Sequence, residues 1–203
     1  MEKILITGGT GLVGRCLIKS LKSKGYKIVV LSRTPKNINE YKWDIDKGFI
    51  DEKALLGVDY IVHLAGAGVV DERWTKKRKK VLVDSRVKSA NLLFNKINDL
   101  NISLKGFISA SGIGYYGAIN SNKTFTEEDM PENDFISEIC VKWEQAASQF
   151  KLLKVPVTIF RIGVVLSNEG GALEKMNTPL FLSVLGNGKQ IMPWIHIEDL
   201  TNL

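Results

Sequence analysis

The segment "TGGTGLVG", residues 7–14, sets Gly8, Gly11 and Gly14 three apart. Glycines at that spacing suit the binding of a diphosphate. Gly8 permits a tight turn off the apolar run before it, Gly11 lets backbone approach a pyrophosphate, and Gly14 lets the next helix lie close on a sheet. The backbone of Thr10, Leu12 and Val13 completes the cradle, because a helix opening there turns unpaired N–H groups and a positive dipole end toward phosphate. Glycine-rich turns are common, so the context decides. "KILIT" precedes the turn and an amphipathic stretch follows it, an order that points to a dinucleotide rather than to a purely structural turn.

The second strand separates the candidate dinucleotides. An acidic residue about 20 positions past the glycines would accept hydrogen bonds from an adenosine ribose. "VVLSRTP" puts Ser32 and Arg33 there instead. A carboxylate repels a 2′-phosphate, whereas a guanidinium holds one with paired, charge-assisted hydrogen bonds. The expected cofactor is NADP(H), with NADPH preferred over NADH; a solvated loop arginine is the alternative.

These residues need elements to position them. Short apolar runs predict strands over 3–7, 27–32, 41–44, 59–64, 104–109 and 156–161, and amphipathic runs predict helices near 12–24, 51–56, 75–98 and 134–151. The third helix places Leu82, Ser85, Ser89, Leu92, Leu93 and Ile97 on one face. Strands rich in Ile, Val and Leu without strict polar alternation suit a sheet buried on both sides. Alternating strand and helix then gives an α/β fold: a Rossmann-type doubly wound parallel sheet with helices on both faces. Residues 117–133 read as a polar loop, and 167–190 as irregular structure over a site.

Composition sets the bounds. The 203 residues suit one dinucleotide-binding domain over 1–203, with 162–203 beginning a substrate-side region. Apolar residues at 44% and charged residues at 25% are ordinary for a globular chain. The opening "MEKILITGG" shows no basic-then-apolar leader, and no apolar run nears the roughly 20 residues that cross a bilayer. Cys16 and Cys140, with two histidines, make neither a disulfide framework nor a metal-ligand spacing; no metal and a reducing cytoplasmic location are expected. Of the net charge of +6, "KKRKK" at 76–80 supplies five positive residues. It reads as a solvated helix face, with few aromatics interleaved for base stacking. Neither nucleic acid nor membrane is expected as a partner, and a homodimer is left open.

The pieces "TGGTGLVG", "WDID", "DYIVHLAG" and "SASGIGYYG", in that order, resemble the extended short-chain dehydrogenase/reductases. Among these the chain is similar to the atypical, epimerase-like members of the NAD-dependent epimerase/dehydratase superfamily. "LAGAGVVDERWTKKRKKVLVDSRVKSANLL", "DFISEICVKWEQAA", "FRIGVVLSNEGGALEKM" and "PWIHIEDL" carry that likeness over essentially the whole chain. The resemblance implies hydride transfer, as an oxidoreductase or epimerase, on a small carbonyl or sugar-like compound. It implies that Asp44 lies near the adenine, that Leu64, Ala65 and Gly66 line the ribose and phosphates, and that Ser109 to Ser111 face the nicotinamide. Ser111 matches the family's catalytic Ser/Thr, and Arg161 stands where the extended enzymes carry a site-lining arginine. Extended members also have a carboxy-terminal portion closing over the substrate, so the stop at Leu203 is expected to reflect truncation.

One family feature is missing. Chemistry in this superfamily uses Tyr-x-x-x-Lys, whose spacing of four puts both side chains on one helical face. The tyrosine exchanges a proton with the substrate oxygen, and the lysine lowers its pKa and holds the ribose. The residues four places after Tyr26, Tyr41, Tyr60, Tyr115 and Tyr116 are Val30, Ile45, Leu64, Ile119 and Asn120. On the matching helix, anchored by Glu144, the two positions fall on Ile136 and Cys140. Two readings stay open: an enzyme with a relocated acid, Tyr116 preferred over Tyr115 and Cys140, or a non-catalytic NADP(H) sensor acting through a protein partner. Nucleic-acid binding through the lysine run is a remote third. Trp74 caps the cleft or anchors its helix, Arg86 reaches the cofactor or makes an exposed ion pair, Gly163 is structural or site-lining, and His63 and His196 read as structural.

Overall fold

The computed structural model describes residues 1–176 and 187–203. Its strands are β1 (Lys3–Thr7), β2 (Lys27–Ser32), β3 (Glu40–Asp44), β4 (Phe49–Ile50), β5 (Tyr60–His63), β6 (Gly106–Gly112), β7 (Val157–Ile162), β8 (Val164–Leu166) and β9 (Trp194–His196). The α-helices are α1 (Leu12–Ser23), α2 (Lys76–Asp99), α3 (Phe135–Ser148), α4 (Ala172–Met176) and α5 (Ile197–Asn202). Seven strands form one sheet in the order β4-β3-β2-β1-β5-β6-β7, parallel except for the β3–β4 hairpin at one edge. β1 pairs with β2 on one side and β5 on the other, so the winding reverses there. In open sheets of this kind a ligand crevice forms at that reversal, beyond the carboxyl ends of the strands.

Alternation along each strand builds two cores. Leu5, Val29, Leu31, Ile61 and Phe107 turn to the face covered by α2 and α3, where Leu93, Ile97 and Ala147 meet them. Phe107 stacks on Phe150, ring centroids 3.7 Å apart, with both rings fully buried. Burying one such ring contributes about 2–3 kcal/mol. Ile4, Ile6, Ile28, Val30 and Val62 turn the other way and pack under Leu17, Ile18 and Leu21 of α1. Beyond α1 that second face opens into a groove of about 570 Å³ lined by Ile108, Phe160 and Leu200, among others.

The expected doubly wound parallel sheet with helices on both faces is present, with differences in detail. The helix expected near 51–56 is one 3-10 turn, Glu52–Ala54, capped by Asp51 and ended before Gly57 at φ +65°. β6 begins two residues late and runs on to Gly112, because Ala110, Ser111 and Gly112 find register partners in Phe160, Arg161 and Ile162 of β7. On α2 the expected Leu82, Ser89, Leu93 and Ile97 are buried, but Arg86 and Ala90 join them while Ser85 and Leu92 are only half-buried. Within the expected irregular stretch 167–190 the short α4 forms, and two strands and a helix that were not expected flank it. β8 pairs in parallel with β9, and α5 packs on α1. Part of the expected irregular stretch, 177–186, lies outside the described residues.

Candidate active site

The turn from β1 into α1 is built of glycine for several reasons. Gly8 takes φ +70°, and a Cβ there would lie 2.8 Å from the Leu64 carbonyl. A Cβ on Gly14 would collide with the Gly8 oxygen and the Gly9 Cα, so this glycine seats α1 on the turn rather than on the sheet. Gly9, unnoticed in the sequence reading, would put a Cβ 2.8 Å from Val30. Gly11 differs: a Cβ there would meet only the Gly8 oxygen, at 3.3 Å, so its outer side is open. Gly11 caps α1 with no side-chain hydrogen bond, and no acidic residue lies in the first turn. The leading N–H groups around Leu12 and Val13 therefore face outward unneutralised, a donor set suited to phosphate. Thr10 is exposed, its carbonyl accepting from Arg15. Gly171 lies against Leu12 and brings the segment after β8 to the head of α1.

At the end of β2, Ser32 is buried and its Oγ accepts from Thr34 N–H at 3.3 Å. Arg33 is exposed, and among the described residues it has neither an ion pair nor a hydrogen bond. Asp44 ends β3 and accepts from Lys47 N–H at 3.1 Å, closing the turn into β4 with one carboxylate oxygen.

The end of β5 is fixed by a buried polar chain. Thr7 Oγ1 accepts from the N–H groups of Leu64 and Ala65, each at 3.2 Å. Its own proton is then free for His63 Nδ1, 2.8 Å away. That leaves Nε2–H to donate to Ser89 Oγ at 3.2 Å, and Ser89 donates onward to the carbonyls of Ser85 and Arg86. Every group has a role only in this tautomer of a neutral imidazole. Burial pushes the His63 pKa down to about 4. His63 is thus a positioning residue that holds Leu64, Ala65 and the exposed Gly66 at the mouth of the crevice. Nothing in the spacing of Thr7, His63 and Ser89 advertised the link.

Across β6, β7 and α3 a second polar cluster forms. Ser111 donates to Glu144 Oε1 at 2.7 Å. Arg161 grips the same carboxylate with two bonds of 2.9 Å, and this pairing holds the guanidinium's pKa above its ordinary value. Arg161 Nη1 also donates to the Tyr116 hydroxyl at 2.8 Å, and that hydroxyl donates to the Thr126 carbonyl at 2.8 Å. Tyr115 lies face-on to Arg161, 3.4 Å from ring centroid to guanidinium carbon. Ser109 is fully buried with its hydroxyl on the Ala110 carbonyl, so it supports the end of β6 and presents no exposed atom to the crevice. Ile136 and Cys140 do sit beside the end of β6, near Gly112 and Gly114. Burial raises the Cys140 pKa, which keeps the thiol neutral and weakly nucleophilic.

The remaining marked residues resolve as supports. Trp74 donates to the Val69 carbonyl at 2.8 Å and meets Phe135 edge-on, tying the loop before α2 to α3. Arg78 in the basic run pairs with Glu72 at 2.9 Å. Gly163 lies tight against the Pro193 carbonyl, and His196 caps α5. Arg86 is neither exposed nor ion-paired. No cluster of three His, Cys, Asp or Glu among the described residues could hold a metal ion. None of the described helices is long and apolar enough to cross a membrane.

Comparison with known proteins agrees with this geometry. The model of the NAD dependent epimerase/dehydratase family matches residues 4–203. An epimerase family protein of Staphylococcus aureus is 37% identical over 209 residues, covering 98% of this chain and 68% of its own length. A nucleoside-diphosphate sugar epimerase from Corynebacterium glutamicum superposes with TM-score 0.86 at 31% identity, over 99% of this chain and 42% of that one. The human epimerase family protein SDR39U1, solved with NADPH, gives TM-score 0.82 at 30% identity over 98% and 67% of the two chains. The chain thus spans under half of the bacterial structure and about two thirds of the other two proteins. With a glycine turn at the winding reversal and a match over nearly its whole length, the chain belongs to the NAD dependent epimerase/dehydratase family.

Proposed function

We propose that this protein binds NADP(H) across the ends of β1, β2, β5 and β6 and carries hydride to or from a small carbonyl or sugar-like compound. The observation that carries the reading is Arg33: an exposed, unpaired guanidinium at the end of β2, beside an uncapped glycine turn. The human relative solved with NADPH supports the same choice.

NADP(H), when bound, supplies or takes up the hydride. The N–H groups at the head of α1 hold the diphosphate, Arg33 and Ser32 hold the 2′-phosphate, and Asp44 borders the adenine. Leu64, Ala65 and Gly66 line the crevice from β5. Ser111 and Tyr116 are the groups for the substrate oxygen, Ser111 bonded to Glu144 and Tyr116 to Arg161. To serve as proton donor, Tyr116 must exchange the Thr126 carbonyl for that oxygen. This commitment, together with Ile136 and Cys140 in place of an acid and a cation, favours a second reading: a sensor that binds NADP(H) without turnover.

Arg33→Asp tests the cofactor assignment. We expect calorimetry to show NADPH binding weakened about a hundredfold, with the preference over NADH abolished or reversed, from the loss of a charge-assisted pair and the gain of a repulsion. Equal affinity for NADPH and NADH in the unmutated protein contradicts the assignment. Following NADPH absorbance against a panel of carbonyl compounds separates the readings: consumption supports the enzyme, tight binding without consumption the sensor.

A further inference from the structure

Arg86 stands apart from every other cation of the structure. It projects from α2 and is only 7% exposed. Nη1 donates to the Leu82 carbonyl at 2.9 Å within its own helix, and Nε is buried with no partner. No carboxylate of the described residues pairs with it. Another cation, Arg78, acts on it unfavourably although it pairs with Glu72 and Asp71. A buried charge without a counter-ion is costly, and burial accordingly lowers the Arg86 pKa. The neighbouring Cys140 supplies no negative charge, because its thiol is held neutral.

What surrounds the guanidinium locates it. On one side is the face of Trp143, 4.9 Å from ring centroid to guanidinium carbon. Close against it too is Gly66, where a Cβ would lie 2.9 Å from that carbon. Gly66 is exposed at the end of β5, so the Arg86 guanidinium lies directly against backbone that is open to solvent. Cys140, which feels its charge, borders Gly112 at the end of β6. The unneutralised cation therefore lies beside the ends of β5 and β6, on the opposite side of β1 from β2 and Arg33.

We propose that Arg86 is a specificity-determining residue that faces the nicotinamide half of a bound dinucleotide, donates to its oxygen acceptors and favours the reduced over the oxidised form. This rests on the NADP(H) reading. An oxidised nicotinamide ring carries a positive charge that the reduced ring lacks, so a fixed cation beside it penalises the oxidised form alone. The same charge is a burden on the cofactor-free fold, since replacing an unpaired buried ion by an apolar group of similar length removes its desolvation penalty.

The test is the affinity ratio of NADPH to NADP⁺ by calorimetry in the unmutated protein, Arg86→Met and Arg86→Lys. The unmutated protein is expected to prefer NADPH. Arg86→Met is expected to lower that preference about tenfold, as one charge removed at short range in a partly wet crevice would do. Arg86→Lys is expected to retain the preference while weakening both affinities. Cofactor-free Arg86→Met is expected to melt no lower than the unmutated protein. Should Arg86→Met fail to fold, Arg86→Gln, which keeps a donor without charge, gives the same comparison. A ratio unchanged on removing the charge overturns the role of Arg86 while leaving NADP(H) binding intact. An unmutated protein that binds neither form overturns the cofactor reading and this one with it.

Discussion

Gly14→Ala is expected to destabilise the fold by about 2–4 kcal/mol and to abolish NADPH binding, whereas Gly11→Ala abolishes binding with a loss of about 1 kcal/mol or less. The difference lies in what each new methyl group meets. At Gly14 it strikes main-chain atoms of Gly8 and Gly9, which cannot swing aside as a side chain would. α1 must lift off the turn, and with it go the packing of Leu17, Ile18 and Leu21 on the sheet and the aim of the leading N–H groups. At Gly11 φ is −74° and the one close neighbour is the Gly8 oxygen at 3.3 Å, so the fold absorbs the change. The methyl group then stands where a diphosphate must approach. Urea unfolding and calorimetry on the two variants check the contrast; equal destabilisation by both would contradict the separate roles assigned to them.

The second large effect is a dependence of stability on pH. His63 is neutral in the fold, with its pKa depressed to about 4 from an ordinary 6.5 chiefly by burial. The unfolded chain binds a proton below about 6.5 and the folded one only below about 4, so between these values the unfolded state holds more protons and stability falls as pH falls. Above pH 6.5 the contribution is fully present. On acidification to pH 4 it is lost, by about 3 kcal/mol. Folded His63 takes up its proton only near pH 4, which breaks the Thr7–His63–Ser89 chain, so the backbone of Leu64 and Ala65 is expected to loosen there and not at higher pH. His63→Gln, which can still accept and donate, is expected to flatten the unfolding profile between pH 4 and 6.5 relative to the unmutated protein. Parallel profiles for the two would mean that His63 titrates normally in the fold.

How far the sequence foretold this structure differs by element. β1 and β2 were legible to the residue because their Ile, Val and Leu runs are bounded by Gly8 and by Arg33. α2 was legible in extent and in most of its buried face, though not at Arg86 and Ala90. A burial pattern drawn from apolar residues leaves out Arg86, whose long stem is buried along with its charge. β8, β9 and α5 were not legible, since each is short and owes its form to a distant partner: β8 to β9, α5 to α1. In the site, the glycines and Arg33 stood out because their roles follow from residue type and local order. The polar chains did not. Thr7, His63 and Ser89 meet only because β1, β5 and α2 converge, and Glu144 of α3 collects Ser111 from β6 and Arg161 from β7. Tyr116 could be placed near β6 from the sequence, but its double engagement with Arg161 and Thr126 depends on how the 117–133 loop folds back.

Everything proposed for the crevice depends on where the dinucleotide sits, and amide resonances report that directly. Titration of the isotope-labelled protein with NADPH is expected to shift the signals of residues 9–14, 32–34 and 64–66 together, with those of α5 unmoved. NADPH-induced shifts confined elsewhere, or none at saturating cofactor, would contradict binding at the glycine turn.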